Sequence, residues 1–413
     1  MVYSNDGWIW FTELSGRISR VNPDTNVLEL IHTVPDVEVF GFSAGMHSIV
    51  LHPDFPTTPY LFVHYTNTTT SSKLVRYTYG INSNALSSPL IILDNIPGGV
   101  SHNGSRMLIL NDKLIISIGD GYSNPSTAQD LNTLNGNMLR LNLDGTVPSD
   151  NPISGSYIWS FGHRNAQGLC FGNGKLYSSE HGTSTNDEIN IIEENRNFGW
   201  PNVEGYCDLS SETAFCNSEN VAEPIWTWTP AIAPCGMEYF DHPSIPEWQN
   251  SLLLAVLKDK KLIQLQLSPD GTSIIEENSY LINALGRIRD VLVIPDGRIF
   301  ICTTNNDFAG NPNADDDKII ELKNEAFLGV ADFNDQSFKL FPNPSNGVFT
   351  LEFDTNIDSE YNIEILSING VSVLKQEILN SSTQINAESL SPGMYFMKVS
   401  HSNTTIYKKI IIK

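Results

Sequence analysis

A polar turn followed by a short strand of aromatic or β-branched residues recurs six times in the first three quarters of this 413-residue chain. The turns contain Gly, Pro, Asn or Asp, and the strands have the apolar or alternating pattern of β-structure. Intervals of roughly 40 to 80 residues between copies are typical of a β-propeller with long loops, so the sequence predicts an all-β fold. The clear copies are Asn5–Phe11, Asn111–Ser117, Gly172–Tyr177 and Pro295–Phe300, and the looser ones are His52–Val63 and Glu247–Ala255.

Two other architectures fit residues 1–324 less well. A single β-sandwich is too small for this length, and a TIM barrel needs amphipathic helices that the sequence does not show. A propeller places the loops of its blades around one mouth, where residues distant in sequence share one pocket. The residues expected to meet there are His102, Arg164, Lys258 and Arg287.

The chain is strongly acidic, with 24 Lys and Arg against 47 Asp and Glu and a net charge of −23. Such a surface repels phosphate backbones, which argues against nucleic acid as a partner. No apolar run approaches the roughly 18 residues of a membrane-spanning helix. Among the five cysteines, Cys207 and Cys216 lie close together in a polar loop and could form a disulfide, which would fit an exported protein.

A second module, residues 338–413, follows a small, polar and acidic linker at residues 325–337. It opens on an Asn-Pro-x-x-Gly motif, carries a late Pro-Gly-x-Tyr and ends in an apolar strand that finishes with Lys. A hairpin turn is predicted at Ser367–Gly370. The predicted strands are Val348–Phe353, Tyr361–Leu366, Val371–Ile378 and Met394–Val399.

In combination, these motifs resemble the C-terminal sorting domain of the type IX secretion system of Bacteroidetes-type bacteria. The resemblance implies an immunoglobulin-like β-sandwich, recognition by the secretion machinery, export to the cell surface or medium, and removal of the module. A plain carbohydrate-binding or spacer sandwich is the alternative. The chain starts without the charged and apolar regions of a signal peptide, so either the protein is cytosolic or the natural start is missing, and the sorting module favours the second.

Three loop residues suggest oxidation chemistry at an alcohol. The imidazole of His102 is a natural base for an alcohol proton near pH 7. Asp120, at a strand end, can orient that imidazole and stabilise its protonated form. The guanidinium of Arg164, followed by Asn165, can stabilise negative charge that develops on oxygen. A capping histidine, a turn aspartate and a structural arginine are the alternatives.

Further cations suggest an acidic ligand. Arg287 and Arg289 alternate with Ile288, so both lie on one face if this segment is a strand. Lys258 adds a third cation at a strand end. Fixed cations of this kind bind carboxylates, and arginine binds them with two donors. Surface ion pairs with the abundant acidic residues are the alternative.

Ten segments, in order along the chain, resemble the PQQ-dependent soluble glucose and aldose sugar dehydrogenases (the glucose/sorbosone dehydrogenase family). The resemblance implies a six-bladed propeller that oxidises the anomeric hydroxyl of an aldose to a lactone. It also implies hydride transfer to PQQ and an external electron acceptor. The segments are Gly45–Phe55, Ser101–Gly104, Gly119–Gly121, Arg140–Gly145, Gly162–Gly168, Glu180–Gly182, Asn186–Asn190, Asn197–Pro201, Ala233–Met237 and Arg287–Asp290.

The resemblance assigns roles to the candidate residues. His102 matches the family's catalytic base, and Asp120 and Arg164 match its catalytic partners. PQQ carries three carboxylates and an ortho-quinone, so its site needs cations that stay charged. The implied cofactor-binding residues are Arg164, Asn165, Lys258, Arg287 and Arg289.

Calcium is implied by the same resemblance, because it binds hard oxygen ligands that include main-chain carbonyls. The carbonyls of Gly182 and Thr183 match those that bind the calcium in contact with PQQ, where it would act as a Lewis acid. Glu188, the carbonyl of Phe198 and the carboxylate of Asp208 match a separate structural calcium. A solvated acidic loop is the alternative.

Two positions depart from the soluble glucose dehydrogenases. Ser43 and Thr229 stand where those enzymes carry Gln and Trp, so the sequence does not identify the sugar. A secreted, non-enzymatic propeller that binds carbohydrate or another ligand is the main alternative function. A metal-dependent lactonase is a third, and the arginine cluster fits it poorly.

Overall fold

Two compact units make up the chain in the computed structural model. They are Met1–Leu322 and Lys323–Lys413. Both consist mainly of β-strands, so the predicted all-β class is confirmed. The predicted linker at 325–337, and residues 368–370 of the predicted turn, lie outside the described residues. The described residues are 1–324, 338–353, 361–367, 371–401 and 404–413.

The first unit contains six antiparallel sheets, each made of consecutive strands of the chain. Five sheets have four strands, and the sixth has three among the described residues. The first three sheets contain β1 (Val2–Tyr3), β2 (Ile9–Thr12), β3 (Arg17–Val21), β4 (Leu28–Thr33), β5 (Met46–Leu51), β6 (Tyr60–Thr66), β7 (Ser71–Gly80), β8 (Ala85–Pro97), β9 (Met107–Leu110), β10 (Lys113–Ile118), β11 (Asn137–Asn142) and β12 (Ile158–Phe161). The other three contain β13 (Ala166–Gly172), β14 (Lys175–Glu180), β15 (Asp187–Ile191), β16 (Trp226–Trp228), β17 (Pro234–Phe240), β18 (Ser251–Val256), β19 (Lys261–Leu267), β20 (Ile274–Tyr280), β21 (Ile288–Val293), β22 (Ile299–Thr303) and β23 (Ile319–Leu322).

The recurring turn-and-strand pattern marks the same place in every sheet. Its six copies fall on the second strand: β2, β6, β10, β14, β18 and β22. In β18 every residue is buried, because neighbouring strands and sheets cover both faces. The pattern therefore reports a strand in the interior of each sheet, preceded by the polar turn that joins it to the first strand.

Apolar side chains join consecutive sheets. Trp10 of the first sheet is fully buried and meets Phe55 and Tyr79 edge-on, with ring centroids 5.6 and 5.1 Å away. Removing a buried aromatic ring of this kind costs about 3–5 kcal/mol. Ile9 of the first sheet packs in one apolar cluster with Leu292 and Phe300 of the sixth. The first and last sheets are thus neighbours, which brings loops from both ends of the unit together.

A disulfide-bonded loop interrupts the sheets after β15. It contains α1 (Ser210–Glu219), which ends at Asn220 in the left-handed conformation that asparagine tolerates. Cys207 and Cys216 form a disulfide, so the pairing that the sequence left open is made. No helix among the described residues is both long and apolar enough to cross a bilayer.

Among its described residues, the second unit has a three-stranded and a four-stranded antiparallel sheet around one apolar core. The predicted strand Val348–Phe353 has the bounds expected from the sequence, and its alternate residues Phe349 and Leu351 are buried. The three-stranded sheet adds two strands that the sequence did not predict, β24 and β28. The strands are β24 (Phe338–Phe341), β25 (Val348–Phe353), β26 (Tyr361–Ser367), β27 (Ser372–Ile378), β28 (Ser382–Asn386), β29 (Gly393–His401) and β30 (Thr404–Ile412).

Candidate functional site

Close packing of two backbone segments places His102. The residue lies on the loop between β8 and β9, with a positive φ of 55°. A Cβ atom on Gly119 would lie 2.0 Å from the carbonyl oxygen of His102, so only glycine fits there. This approach brings His102 beside the residue that follows Gly119. Nδ1 of His102 lies 2.8 Å from Oδ1 of Asp120.

Asp120 is buried, and two groups besides His102 donate hydrogen bonds to its carboxylate. Its Oδ2 accepts a hydrogen bond from Nε1 of Trp200 at 2.9 Å, and its Oδ1 accepts one from the backbone N–H of Tyr122 at 2.8 Å. A carboxylate fixed in this way orients the imidazole that it contacts. The side chain of His102 is 12% exposed, and its Nε2 has no partner within the described part of the chain. That nitrogen is therefore available to a substrate.

Arg164 is a half-buried cation with unused donors. Its Nη1 donates to the carbonyl oxygen of His181 at 3.0 Å, and its guanidinium lies over the ring of Trp200, 5.2 Å from the centroid. Its Nε is buried and has no hydrogen-bond partner in the described part of the chain. Burial lowers the pKa of Arg164, against the opposing effect of Asp120 and other nearby carboxylates. Arginine remains charged despite such a shift.

Asn165 connects the two loops. Its Oδ1 accepts hydrogen bonds from the backbone N–H of Gly104 at 3.1 Å and from Nε2 of Gln167 at 3.0 Å. Its own backbone N–H donates to Oε1 of Glu180 at 3.0 Å. The loop that carries His102 is thereby tied to the loop that carries Arg164.

A large cavity lies among the sheets of the first unit, with a volume of about 1520 Å³. Typical small-molecule sites measure roughly 300–1,000 Å³, so this cavity has room for more than one ligand. Asp120 and Arg164 do not line this cavity: Asp120 contacts His102, and Arg164 lines a second, smaller pocket. The predicted site residues that line the cavity are His102, Asn165, Lys258, Arg287 and Arg289.

The three downstream cations differ in how far they are neutralised. Arg287 forms an ion pair with Asp307, with Nη2 and Oδ2 2.8 Å apart. Nζ of Lys258 donates to the carbonyl oxygen of Ala231 at 2.8 Å and has no ion pair in the described residues. The side chain of Arg289 makes neither a hydrogen bond nor an ion pair with any described residue. Its positive charge is available to a ligand in the cavity.

A second, small pocket lies beside Arg164 and has a volume of about 10 Å³, roughly the room that one water molecule needs. Three acidic side chains line it, those of Glu180, Glu188 and Glu204, together with Gly182 and Phe198. Burial raises the pKa of Glu188 to about 8, and the nearby Glu180 adds to the shift. The pocket therefore favours a cation that would restore the charge of this carboxylate.

Main-chain oxygens near this pocket are unused. No hydrogen bond from the described residues reaches the carbonyl oxygens of Gly182, Thr183 or Phe198. Free carbonyls and carboxylates are the ligands that calcium prefers. The described residues contain no preformed group of three His, Cys, Asp or Glu side chains with the geometry of a metal site.

Two other acidic residues, Asp187 and Asp208, do not line this pocket. Asp208 is exposed and does not line the pocket, although the sequence suggested it as a ligand beside Glu188. Asp187 accepts hydrogen bonds from the backbone N–H groups of Gly182, Ile232 and Ala233, at 2.8, 2.6 and 2.7 Å. Its carboxylate is committed to holding the backbone. Burial raises the pKa of Asp187, partly offset by these bonds.

The structure adds residues to which the sequence gave no role. Glu180 accepts the backbone N–H groups of Arg164 and Asn165, and Trp200 contacts both Asp120 and Arg164. Both belong to segments that resemble the dehydrogenase family, and that was the available signal. Glu204, whose Oε2 accepts from Oγ1 of Thr183 at 2.9 Å, lies in no such segment.

Comparison with protein families settles the family. The model described as glucose/sorbosone dehydrogenase matches residues 1–309, three quarters of the chain. This chain belongs to the glucose/sorbosone dehydrogenase family. The predicted family and its enzyme class are confirmed. The model described as secretion system C-terminal sorting domain matches residues 339–413, as the motifs of the C-terminal module predicted.

Relatives of this chain within and around the family are named as glucose or aldose sugar dehydrogenases. Quinoprotein glucose dehydrogenase B of Acinetobacter calcoaceticus is 31% identical, over 77% of this chain and 85% of its own length. An aldose sugar dehydrogenase of Escherichia coli is 33% identical, over 65% of this chain and 76% of its own. The structure of a PQQ-bound aldose sugar dehydrogenase from Streptomyces coelicolor superposes with a TM-score of 0.69 at 29% identity, covering 78% of this chain and 92% of that one.

Proposed function

We propose that the first unit is a PQQ- and calcium-dependent aldose dehydrogenase, which oxidises the anomeric carbon of its sugar to the lactone. One cavity carries this proposal: it is lined by His102 and by Arg289, and among the described residues neither Nε2 of His102 nor the guanidinium of Arg289 has a partner. The names of the relatives support it. We also infer that the six sheets are the blades of a six-bladed propeller and that the second unit is an immunoglobulin-like sandwich.

The cavity fits an acidic cofactor. Arg289 and Lys258 line it without an ion pair among the described residues, and Arg287 is held in place by Asp307. Nε of Arg164 is a further buried donor that lacks a partner. These donors suit the carboxylates of PQQ, which supplies a hydride acceptor when bound. Asn165 completes the proposed cofactor-binding set.

His102 acts as the general base in this proposal. Its Nε2 accepts the proton of the anomeric hydroxyl, a role worth about 10²–10⁴-fold in rate. Asp120 holds the ring through Nδ1 and stabilises the imidazolium that forms. The guanidinium of Arg164 stabilises negative charge that develops on oxygen, and its partial burial strengthens that effect.

Calcium would be held by main-chain and carboxylate oxygens. The carbonyls of Gly182 and Thr183 would bind an ion that supplies Lewis acidity. Glu188 and the carbonyl of Phe198 would bind a second, structural ion. Asp208 stays a predicted ligand of that second ion, and Glu204, which lines the same pocket, is an additional candidate.

We propose that residues 338–413 direct the protein through the periplasm and the type IX secretion machinery to the cell surface or medium, after which the module is removed. The match to a sorting domain supports this proposal. The disulfide between Cys207 and Cys216 fits passage through an oxidising compartment.

Reconstitution tests the proposed function. The purified full chain, incubated with PQQ and calcium, should reduce an electron-accepting dye when an aldose is added and should release the lactone. Omitting PQQ, chelating calcium, or replacing the aldose by its alditol should abolish dye reduction. Sugar binding without dye reduction would favour the non-enzymatic alternative, and lactone hydrolysis without an acceptor would favour a lactonase.

A further inference from the structure

Two exposed phenylalanines contact each other at the large cavity. Phe42 is 54% exposed and Phe308 is 67% exposed, and both line the cavity. Their ring centroids lie 5.1 Å apart, with the ring planes inclined by 55°. Water contact with apolar rings is unfavourable, so a paired aromatic surface at a cavity is typical of a ligand-binding surface.

The pair lies between the two chemical parts of the site. The backbone N–H of Phe42 donates to the carbonyl oxygen of Val100 at 2.9 Å, two residues before His102. Phe308 directly follows Asp307, which forms the ion pair with Arg287. The two rings therefore connect the loop of the base with the loop that holds a cofactor-binding cation.

Exposure gives the relative depth of these groups. The side chains of His102 and Arg287 are 12% and 10% exposed, whereas both phenylalanines are more than half exposed. A sugar ring oxidised at His102 must enter the buried part of the cavity. The phenylalanine pair, at the rim, then contacts whatever part of the substrate remains outside.

The surroundings of the pair suit a carbohydrate. Ser43, Asn306, Asp316 and Asp317 line the same cavity and offer hydroxyl, amide and carboxylate groups. One face of a pyranose carries C–H groups that pack on the electron-rich face of an aromatic ring, while its hydroxyls hydrogen-bond to such polar groups. Two rings are too small for a stable protein interface, which buries about 1,200 Å² or more. A neutral sugar is also not repelled by a chain with a net charge of −23.

We propose that Phe42 and Phe308 form an outer sugar-binding platform that packs against the second ring of an oligosaccharide whose reducing-end ring is oxidised at His102. This inference rests on the proposed function and adds two specificity-determining residues to it, the pair that would contact the second sugar ring. The departures at Ser43 and Thr229 from the soluble glucose dehydrogenases agree with a substrate contact built from different residues.

Kinetics with substrates of different length test the platform. The full chain, reconstituted with PQQ and calcium, is assayed with glucose, maltotriose and cellotriose. Phe42→Ala and Phe308→Ala should each lower kcat/KM for the preferred trisaccharide about three- to tenfold relative to glucose, through KM, because each loses one stacking contact. Phe308→Tyr keeps an aromatic ring and should retain the trisaccharide preference. Phe171→Ala, at an exposed phenylalanine outside the cavity lining, is the matched control and should leave kcat/KM unchanged for glucose and for the trisaccharides.

Direct binding separates this inference from the proposed function. Maltotriitol and cellotriitol lack the reacting anomeric carbon, so calorimetric titration of the chain with these probes reports the platform without catalysis. Binding that is present in the parent chain and weakened in Phe42→Ala and Phe308→Ala supports the platform even if no dehydrogenase activity is found.

Three results would overturn the platform: no binding of either probe to the parent chain, an equal loss for glucose and trisaccharides, or a change confined to the KM of the dye acceptor. The first excludes an oligosaccharide site. The second assigns the rings to the reacting sugar, and the third assigns them to the electron acceptor.

Discussion

His102–Asp120 and His163–Glu180 are the same pair of side-chain types in two different surroundings. In each, Nδ1 of the imidazole contacts a carboxylate oxygen, at 2.8 Å for His102 and 3.1 Å for His163. His163 also uses Nε2, which lies 2.9 Å from the hydroxyl of Ser160, and it is only 1% exposed. Nε2 of His102 has no such partner among the described residues, and the side chain lines the large cavity.

The difference separates the pair that we propose to be reactive from a structural one. Both nitrogens of His163 are satisfied, so it has no capacity left for a substrate. Its partner Glu180 uses Oε1 to hold the backbone N–H groups of Arg164 and Asn165. The buried pair therefore positions the loop on which the open pair depends. In the proposed mechanism, His102 can act as a base because its Nε2 has no hydrogen-bond partner among the described residues.

The largest expected effect is on turnover in His102→Asn. Loss of the general base should lower kcat by about 10²–10⁴-fold, measured as dye reduction by the reconstituted enzyme. Asparagine tolerates the positive φ at this position, so the urea-induced unfolding free energy should stay nearly unchanged. Undiminished turnover would contradict the role of His102 and remove the contrast with His163.

A smaller loss is expected in Asp120→Asn, which keeps the size of the side chain and removes its charge. Orienting partners of imidazoles in metal sites contribute about 10–100-fold, and we expect kcat/KM to fall by a similar factor. The measurement is kcat/KM across a pH series. A fall in kcat/KM that comes only from a rise in KM, with kcat unchanged at every pH, would mean that Asp120 shapes the site without assisting the base.

His163→Ala should lower the stability of the fold more than the activity of the folded protein. The change empties a buried ring position stacked on Phe198 and leaves Glu180 without one of its donors. We expect the unfolding free energy to fall by about 2–4 kcal/mol, measured by urea denaturation. Activity per folded molecule should fall less than in His102→Asn. A reversed order of the two activity losses would show that the buried pair takes part in the chemistry.

An effect on stability alone, and only at raised pH, is expected at a cavity-lining carboxylate that has no imidazole partner among the described residues. Burial, assisted by the nearby Asp290, raises the pKa of Glu238 to about 8. Its protonated form is favoured in the folded state, so its contribution to stability is present below the unfolded pKa near 4.5 and is lost as pH rises through about 8. Glu238→Gln should therefore gain stability over the parent chain as pH rises from 5 to 8.5.

Denaturation at several pH values checks this prediction. Glu276→Gln, at an exposed glutamate of the same sheet, is the matched control and should show a constant difference from the parent chain. A constant difference for Glu238→Gln as well would mean that Glu238 does not titrate in this range.

Much of the fold could be predicted because its signals are local. A polar turn and the alternating strand after it lie within about a dozen residues, and all six copies identified a second strand. The same holds for Val348–Phe353, where strand pattern and bounds agreed. The ends of β26 and β29 are less well defined by sequence, because a strand ends where its partner ends.

The site could be predicted only in part because its geometry is long-range. Neighbouring residues reveal that His102 is a loop histidine, but not that its Nε2 stays open while that of His163 is filled. The contact between Trp200 and Asp120 joins residues 80 positions apart. The place of Glu204 in the small pocket, and the exposure of Asp208, likewise depend on how the bridged loop folds back.

The bond between Cys207 and Cys216 bears on where the enzyme becomes complete. Gly205, two residues before the bridge, donates its backbone N–H to Glu188 at 2.7 Å, so the tethered segment also shapes the small pocket. Thiols remain reduced in the cytoplasm and pair once a chain has left it. If the chain is exported as proposed, the bridge would form in the oxidising periplasm, so this side of the small pocket would be fixed before the protein reaches the cell surface.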